Sequence, residues 1–479
     1  MTATRPSTWH ERVADVLGAL PAARRGAARD RWPRERIAAW QQARLVELLA
    51  HARTRSRFWA QRLHHVDVAN PRLADIPPLD KGELMAHFDA AVTDPRVTRA
   101  AVEAHLDTLR GDALFAGTFR VMASSGSSGQ RGLYVQGRDD WRATLEGVFR
   151  MTQAAGLRPR WPRRRVAVVG APDGRHMSWR MGASIDVGLF STLRLSAHDP
   201  LDTLFERLAA FGPDALQGYP SMLALLANRN AARGRPLHPA VVVTSSELRT
   251  PEMTAALRDG FGVVPFDTFA TTEAGVTAFE CEAHAGLHLL EDQCIVEAVD
   301  ADGRPVPDDT PGAQLLVTAL RLRTLPMIRM ALGDVATITA AACACGRTTR
   351  RLVDLAGRSD DILDVPVDRD SDRCVRVHPI RLRSPLASLT GLAQYQIRFD
   401  GQALVADVVA APGEDAARLA EAAGAVLVAA LRDAGITAPQ VTARAVDRIA
   451  REAGPGKFKL VKRVPPGPRA KEASSSPTT

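Results

Sequence analysis

The chain of 479 residues carries a formal net charge of +8, with 46% hydrophobic and 24% charged residues. That length exceeds what one core ordinarily organises, so two or more domains of globular composition are expected. No uninterrupted apolar run approaches the ~20 residues that cross a bilayer, and Met1–Pro6 lacks the apolar stretch of a secretory signal, so no membrane association and a cytoplasmic location are expected.

The arginines are scattered and only three Tyr accompany them, which argues against a base-stacking nucleic-acid surface. Five cysteines, an odd number in a reducing compartment, argue against a disulfide framework.

Residues 1–110 read as mostly helical. Ile37, Trp40, Leu45, Leu48 and Leu49 give Arg36–Arg53 an amphipathic spacing. Pro77-Pro78 interrupts the helical region, and Asp80 is placed to cap a helix that starts at Lys81. Next comes the apolar run Leu114–Met122, and directly after it Ser124 to Gly132 holds four Ser and three Gly. Glycines let a backbone approach a ligand closely, and hydroxyls and free N–H groups suit anionic oxygens. A flexible Ser/Gly linker has a similar composition. The loop is not a Walker loop, since no Gly-Lys-Ser/Thr follows at the required spacing.

From 114 to 270, short apolar runs (Val166–Gly170, Val241–Thr244, Val263–Phe266) alternate with helical stretches (Leu201–Phe211, Ser221–Arg229, Pro251–Asp259). Such alternation predicts a mainly parallel sheet covered on both faces, with ligands beyond the carboxyl ends of its strands. Between 290 and 345 the expected strands Cys294–Val299, Gln314–Ala319 and Val335–Ile338 lie closer together, with a turn at Asp302-Gly303, as in an antiparallel piece. Gly357–Asp361 breaks the pattern. Strands Tyr395–Phe399 and Ala403–Val409 and helical Ala416–Asp433 then suggest a small α+β domain. The polar tail 465–479 is expected to be disordered.

Cys281-x2-His284-x3-His288 followed by Cys343-x-Cys345 is a mixed thiolate and imidazole set that suits tetrahedral Zn²⁺. The plain alternative is a group of buried free thiols with a surface histidine.

Five ordered segments together resemble the adenylate-forming superfamily, nearest to its phenylacetate–CoA ligase branch. They are the Ser/Gly loop, Phe266–Gly275, Ile328–Asp334, Leu355–Leu363 and Gly454–Lys459. The likeness extends to His51–Trp59, Pro77–Lys81, Gln217–Ser221 and Ser245–Leu248, and so covers nearly the whole chain.

The resemblance implies an α/β fold. A large N-terminal adenylation domain over 1–357 would be followed by a small α+β lid over 358–464. It further implies ATP-dependent activation of a carboxylic acid, aromatic or otherwise hydrophobic, to an acyl adenylate, then transfer to coenzyme A. A carrier-protein thiol, an amine or a hydroxyl is the alternative acceptor. A catalytically silent nucleotide-binding scaffold is the rival of another class. Homodimers occur in the family.

By the same resemblance, Ser124, Ser125, Gly126, Ser127, Ser128 and Gly129 would hold the leaving phosphates of ATP. Gln130-Arg131 replaces the usual lysine, and Arg131 would supply the charge. Thr272 would contact the α-phosphate and Glu273 would hold Mg²⁺, with Phe269 the expected aromatic three positions earlier; a helix-capping pair is the plain reading. Ser246 and Glu247 would border the adenine, and Asp334 would accept both ribose hydroxyls. Arg358, at the domain junction, would also bind the nucleotide, with Asp360 as hinge and Asp361 as its rival. Lys457 would bridge carboxylate and α-phosphate, with Lys459 and Lys462 as neighbours in a basic tail. For zinc, the branch pattern favours Cys281, His288, Cys343 and Cys345, with His284 as the rival ligand.

Overall fold

The computed structural model describes residues 5–124, 132–358, 363–368, 373–377, 379–387, 389–411, 413–450 and 458–465. The chain divides into two compact units, one comprising Met1–Arg358 and the other Ser359–Arg451 with Phe458–Thr479.

In the first unit, helix Trp9–Arg29 opens with a capping box in which Thr8 and Glu11 satisfy each other's backbone N–H groups. Helix Arg34–Arg55 buries Leu45, Leu48, Leu49 and Ala52 at helical spacing. The Asp80 carboxylate accepts from the Glu83 N–H at 2.8 Å and starts helix Lys81–Ala86. Just before it, Leu79 bridges to the far segment 329–331. Its N–H donates to the Arg329 carbonyl at 2.9 Å, and its own carbonyl accepts from Ala331 at 2.8 Å. Arg329 is buried with a left-handed φ of +48°, and its guanidinium donates to the Ile76 and Gly303 carbonyls and to Glu297.

A nine-stranded sheet organises the rest of this unit. In spatial order its strands are Asp334–Thr339, Arg351–Arg358, Leu287–Leu289, Gly275–Glu280, Phe266–Thr271, Val241–Ser245, Ala215–Gly218, Arg165–Gly170 and Ser191–Ser196. The last five are parallel and the first four pair antiparallel. Alternate residues of the parallel strands enter two cores. Ala167, Val169, Leu216 and Val242 pack with Leu204, Leu223 and Leu257 of the connecting helices. Val166, Ala215, Val241 and Val243 join the larger core with Trp141, Leu145 and Val148. Burial on both faces is why these strands read as continuous apolar runs.

Two expected strands differ from the structure. The run at Val263 is not a strand: helix Pro251–Phe261 ends on Gly262 at φ +79°, Val264 is 45% exposed, and the strand starts only at Phe266. Asp334–Thr339 joins the large sheet, whereas Cys294–Val299 and Gln314–Ala319 form a separate antiparallel sheet with Met330–Ala331.

Helix Arg138–Ala154 has no counterpart in the sequence reading. Its buried Asp140, Glu146 and Arg150 interrupt the apolar stripe. The Arg150 guanidinium donates to Asp292 at 2.6 Å and to Asp30. Burial nevertheless pushes the Asp30 carboxyl up to about 6.

The second unit is a four-stranded sheet in the order Val441–Ala445, Leu404–Ala410, Leu392–Phe399, Val461–Arg463. Helix Ala416–Asp433, capped by Asp415, buries Leu419, Ala423, Leu427 and Leu431 in one core with Ile397, Leu404, Ala406 and Val408. The architecture is the expected one: mixed α/β with a large, parallel-rich sheet, and a smaller α+β unit.

Candidate functional site

Three adjacent parallel strands, Ala215–Gly218, Val241–Ser245 and Phe266–Thr271, end side by side. Beyond their carboxyl ends lie Tyr219, Ser246-Glu247 and Thr272-Glu273, the position where open α/β sheets collect ligands. Phe269 is buried within its strand.

Thr272 and Glu273 occupy the turn of an antiparallel hairpin whose register pairs Thr271 with Gly275. The turn is tight because Gly275 takes φ +77° and the Thr271 hydroxyl accepts from the Ala274 N–H at 3.1 Å. The pair therefore does not begin a helix. Ser246 takes φ +72°, which few L-residues adopt. The Glu247 carboxylate accepts from the Ser221 hydroxyl at 2.5 Å and its N–H at 3.3 Å, at the start of helix Pro220–Ala232. A carboxylate is stabilised at a helix N-terminus, and this contact ties two of the strand ends together.

Of the Ser/Gly loop, the structure describes the neck. Strand Arg120–Ala123 pairs antiparallel with Leu133–Gln136. Beyond that ladder the Ser124 N–H donates to the Gly132 carbonyl at 2.9 Å, and the Gly132 N–H donates to the Ser124 hydroxyl at 3.2 Å. A Cβ on Gly132 would lie 2.7 Å from the Ser124 hydroxyl oxygen and 2.8 Å from that of Tyr134, so only glycine fits without a shift. The Tyr134 hydroxyl in turn donates to the Glu273 carboxylate at 2.6 Å. Tyr134 thus touches both the loop neck and the Thr-Glu hairpin, and the sequence reading missed it.

Asp334 opens its strand after Gly333 at φ +71°, and the antiparallel register sets it opposite Arg358. Ser125, Gly126, Ser127, Ser128, Gly129, Arg131, Asp360, its rival Asp361 and Lys457 lie outside the described residues.

Three of the five cysteines and His288 gather at the antiparallel part of the same sheet. Cys281 follows strand Gly275–Glu280, and His288 stands on Leu287–Leu289, paired with Phe279 on one side and Arg351 on the other. Cys343 and Cys345 come from the loop before Arg351–Arg358, turned by Gly346 at φ +76° with its N–H on the Cys343 carbonyl at 3.0 Å.

The ligand atoms of Cys281, His288, Cys343 and Cys345 all lie within 4.8 Å of one another. The Cys281 and Cys343 sulfurs are 3.7 Å apart, and Cys345 Sγ is 3.3 Å from His288 Nε2. Zn–S bonds of about 2.3 Å at tetrahedral angles would put two sulfurs about 3.8 Å apart, so the donor set fits zinc in spacing as well as in chemistry. His288 Nδ1 faces the Thr349 hydroxyl at 3.0 Å, which leaves Nε2 for the cluster. Burial, with Arg347 nearby, pushes the His288 imidazole down to about 4, so it is neutral and able to ligate. The rival His284 stands apart, its Nδ1 3.4 Å from Glu280 and its ring 4.9 Å from that of Phe266.

No protein-family profile matches the chain. It is similar to the phenylacetate–coenzyme A ligase of Thermus thermophilus, 27% identical over 384 residues that cover 76% of this chain and 78% of that one. It is also similar to the enzyme of the same name from Pseudomonas putida, 26% identical over 304 residues, 58% of this chain and 62% of that one. Among solved structures, a 2-hydroxyisobutyryl-CoA ligase in the postadenylation state, in complex with R3-HIB-AMP, superposes with a TM-score of 0.71 at 21% identity over 91% of each chain. At that identity the superposition speaks for the fold. Among the described residues no helix is long and apolar enough to cross a membrane.

Proposed function

We propose that this chain, a phenylacetate–coenzyme A ligase-like member of the adenylate-forming superfamily, activates a carboxylic acid with ATP and passes the acyl group to coenzyme A. In the first half-reaction a carboxylate oxygen attacks the α-phosphorus, the α–β phosphoanhydride bond breaks, and pyrophosphate leaves. In the second, the deprotonated thiol of coenzyme A attacks the acyl carbon and AMP departs.

The observation that carries this reading is the Tyr134–Glu273 hydrogen bond, which draws the neck of the Ser/Gly loop to the Thr-Glu hairpin at the strand ends. In this reading Glu273 holds Mg²⁺, a hard cation suited to carboxylate and phosphate oxygens that offsets their charge. Thr272 contacts the α-phosphate, Asp334 accepts from the ribose, and Ser246 borders the adenine. Ser124 to Gly129 with Arg131 bind the departing phosphates, and Lys457 stabilises the charge that develops between acid and phosphate. Asp360 serves as hinge.

Cys281, His288, Cys343 and Cys345 bind a structural Zn²⁺. Four protein ligands close its coordination, so the ion fastens loops rather than meeting substrate.

The test is acid-dependent ATP–pyrophosphate exchange with a panel of aromatic and aliphatic acids, then product mass with and without coenzyme A. Exchange followed by an acyl-CoA product is expected. A product formed only on a carrier protein or an amine reassigns the acceptor. No binding of ATP or AMP by calorimetry, with Mg²⁺ and acids supplied, overturns the reading. Metal analysis tests the second site: less than about 0.2 Zn per chain after purification without chelators removes it.

A further inference from the structure

We infer that Tyr134 is a positioning residue for the nucleotide-bound metal: it fixes the Glu273 carboxylate in the orientation that takes Mg²⁺ and sets the distance between that carboxylate and the neck of the Ser/Gly loop. The inference rests on the function proposed above and adds to it a residue outside the Ser/Gly loop and the Thr-Glu hairpin.

Tyr134 is 2% exposed and sits in strand Leu133–Gln136, whose register sets it opposite Met122. The packed ring fixes the position of the phenol oxygen. Its O–H reaches Glu273 Oε1 at 2.6 Å across 139 residues of sequence, the short length typical of a bond to an ionised acceptor. An ionised carboxylate has more lone pairs than one donor occupies, so Glu273 keeps acceptor capacity for a cation.

The same phenol oxygen limits the space at Gly132, where a Cβ would come within 2.8 Å of it. One rigid side chain therefore stands between the neck of the Ser/Gly loop and the Thr-Glu hairpin. Without it, Glu273 loses that anchoring bond on its hairpin turn, and Mg²⁺ must do more of the ordering of the carboxylate at the moment of binding. Preorganised donors avoid that cost.

The test compares wild type with Tyr134→Phe, which keeps the ring and removes only the hydroxyl. Calorimetric titrations with ATP are run in Mg²⁺ and, separately, in EDTA. Since hydrogen bonds to charged groups are the stronger ones, the variant should lose about tenfold in affinity for ATP with Mg²⁺, with little change in EDTA. In pyrophosphate exchange, the Mg²⁺ concentration for half-maximal rate should rise several-fold, while the KM for the acid stays constant.

Equal losses in Mg²⁺ and EDTA would reduce Tyr134 to a packing role and overturn the inference, as would unchanged titrations. A Glu273→Gln background serves as the check against misfolding. There the added Tyr134→Phe change should have no further effect on the Mg²⁺ requirement, and a further effect of the full size would also overturn it. A wild-type chain that binds ATP and responds to Mg²⁺ but exchanges no pyrophosphate would sink the proposed reaction and leave the metal-positioning role standing.

Discussion

The nine-stranded sheet carries two constellations of opposite character. At the ends of its parallel strands, Thr272, Glu273, Ser246 and the neck of the Ser/Gly loop offer oxygen donors on turns, with the Tyr134 phenol donating to Glu273. On its antiparallel strands, Cys281, His288, Cys343 and Cys345 turn sulfur and nitrogen toward a common point, with His288 fully buried. Parallel strands finish together and leave their connecting turns free to meet a ligand. Antiparallel hairpins bring sequence-distant turns face to face and close around what they hold. In the proposed reading, function and fastening are divided between two halves of one sheet.

If that division is right, the two sites fail in different ways. The largest effect expected is on stability. Cys343→Ser should leave less than one zinc per chain and lower the thermal midpoint by at least ~5 °C, read by metal analysis and calorimetry. Glu273→Gln should do the reverse: adenylate formation falls about 10²- to 10³-fold, while the melting curve and zinc content are unchanged. A Glu273→Gln variant that melts as early as Cys343→Ser would break the comparison.

A histidine remote from the cluster separates the acid response of the fold from that of the proposed zinc site. Burial, with Arg180 nearby, depresses the His105 imidazole to about 4. The folded state therefore prefers it neutral, so its stabilising contribution is complete above pH ~6.5 and is lost as the pH falls toward about 4. In His105→Gln the decline in stability over that window should be shallower by about 1–3 kcal/mol, with the pH of zinc release unmoved. The smallest effect is assigned to Thr349→Val, which removes the hydroxyl from His288 Nδ1 and leaves it the Thr349 carbonyl at 3.3 Å. It should weaken zinc binding about tenfold in a chelator competition and leave pyrophosphate exchange intact.

Legibility in the sequence followed the same division. Strands Arg165–Gly170 and Val241–Ser245 stood out because burial on both faces gives them the continuous apolar runs Val166–Val169 and Val241–Val243. The start of Phe266–Thr271 did not, because the two valines before it merely follow a helix cap. Helix Arg138–Ala154 hid because Asp140, Glu146 and Arg150 point inward, where periodicity expects apolar side chains.

At the site, Thr272, Glu273 and Asp334 were singled out by their order along the chain. Tyr134 was not, since a tyrosine in Leu-Tyr-Val-Gln looks like core until a partner 139 residues away is in place. Spacing alone favoured His284, which has the more conventional Cys-x2-His interval. Only the pairing of Leu287–Leu289 with strands on both sides brings the His288 imidazole, and not that of His284, among the sulfurs.

The bridge between Leu79 and the 329–331 segment has a practical consequence for anyone trimming this protein. A fragment beginning near residue 110 would keep every strand of the large sheet, yet it would leave the Arg329 guanidinium without the Ile76 carbonyl and take from the backbone leading to Asp334 its two hydrogen bonds to Leu79. Such a fragment should need its missing amino-terminal piece supplied in trans before it regains a native Gly333-Asp334 turn.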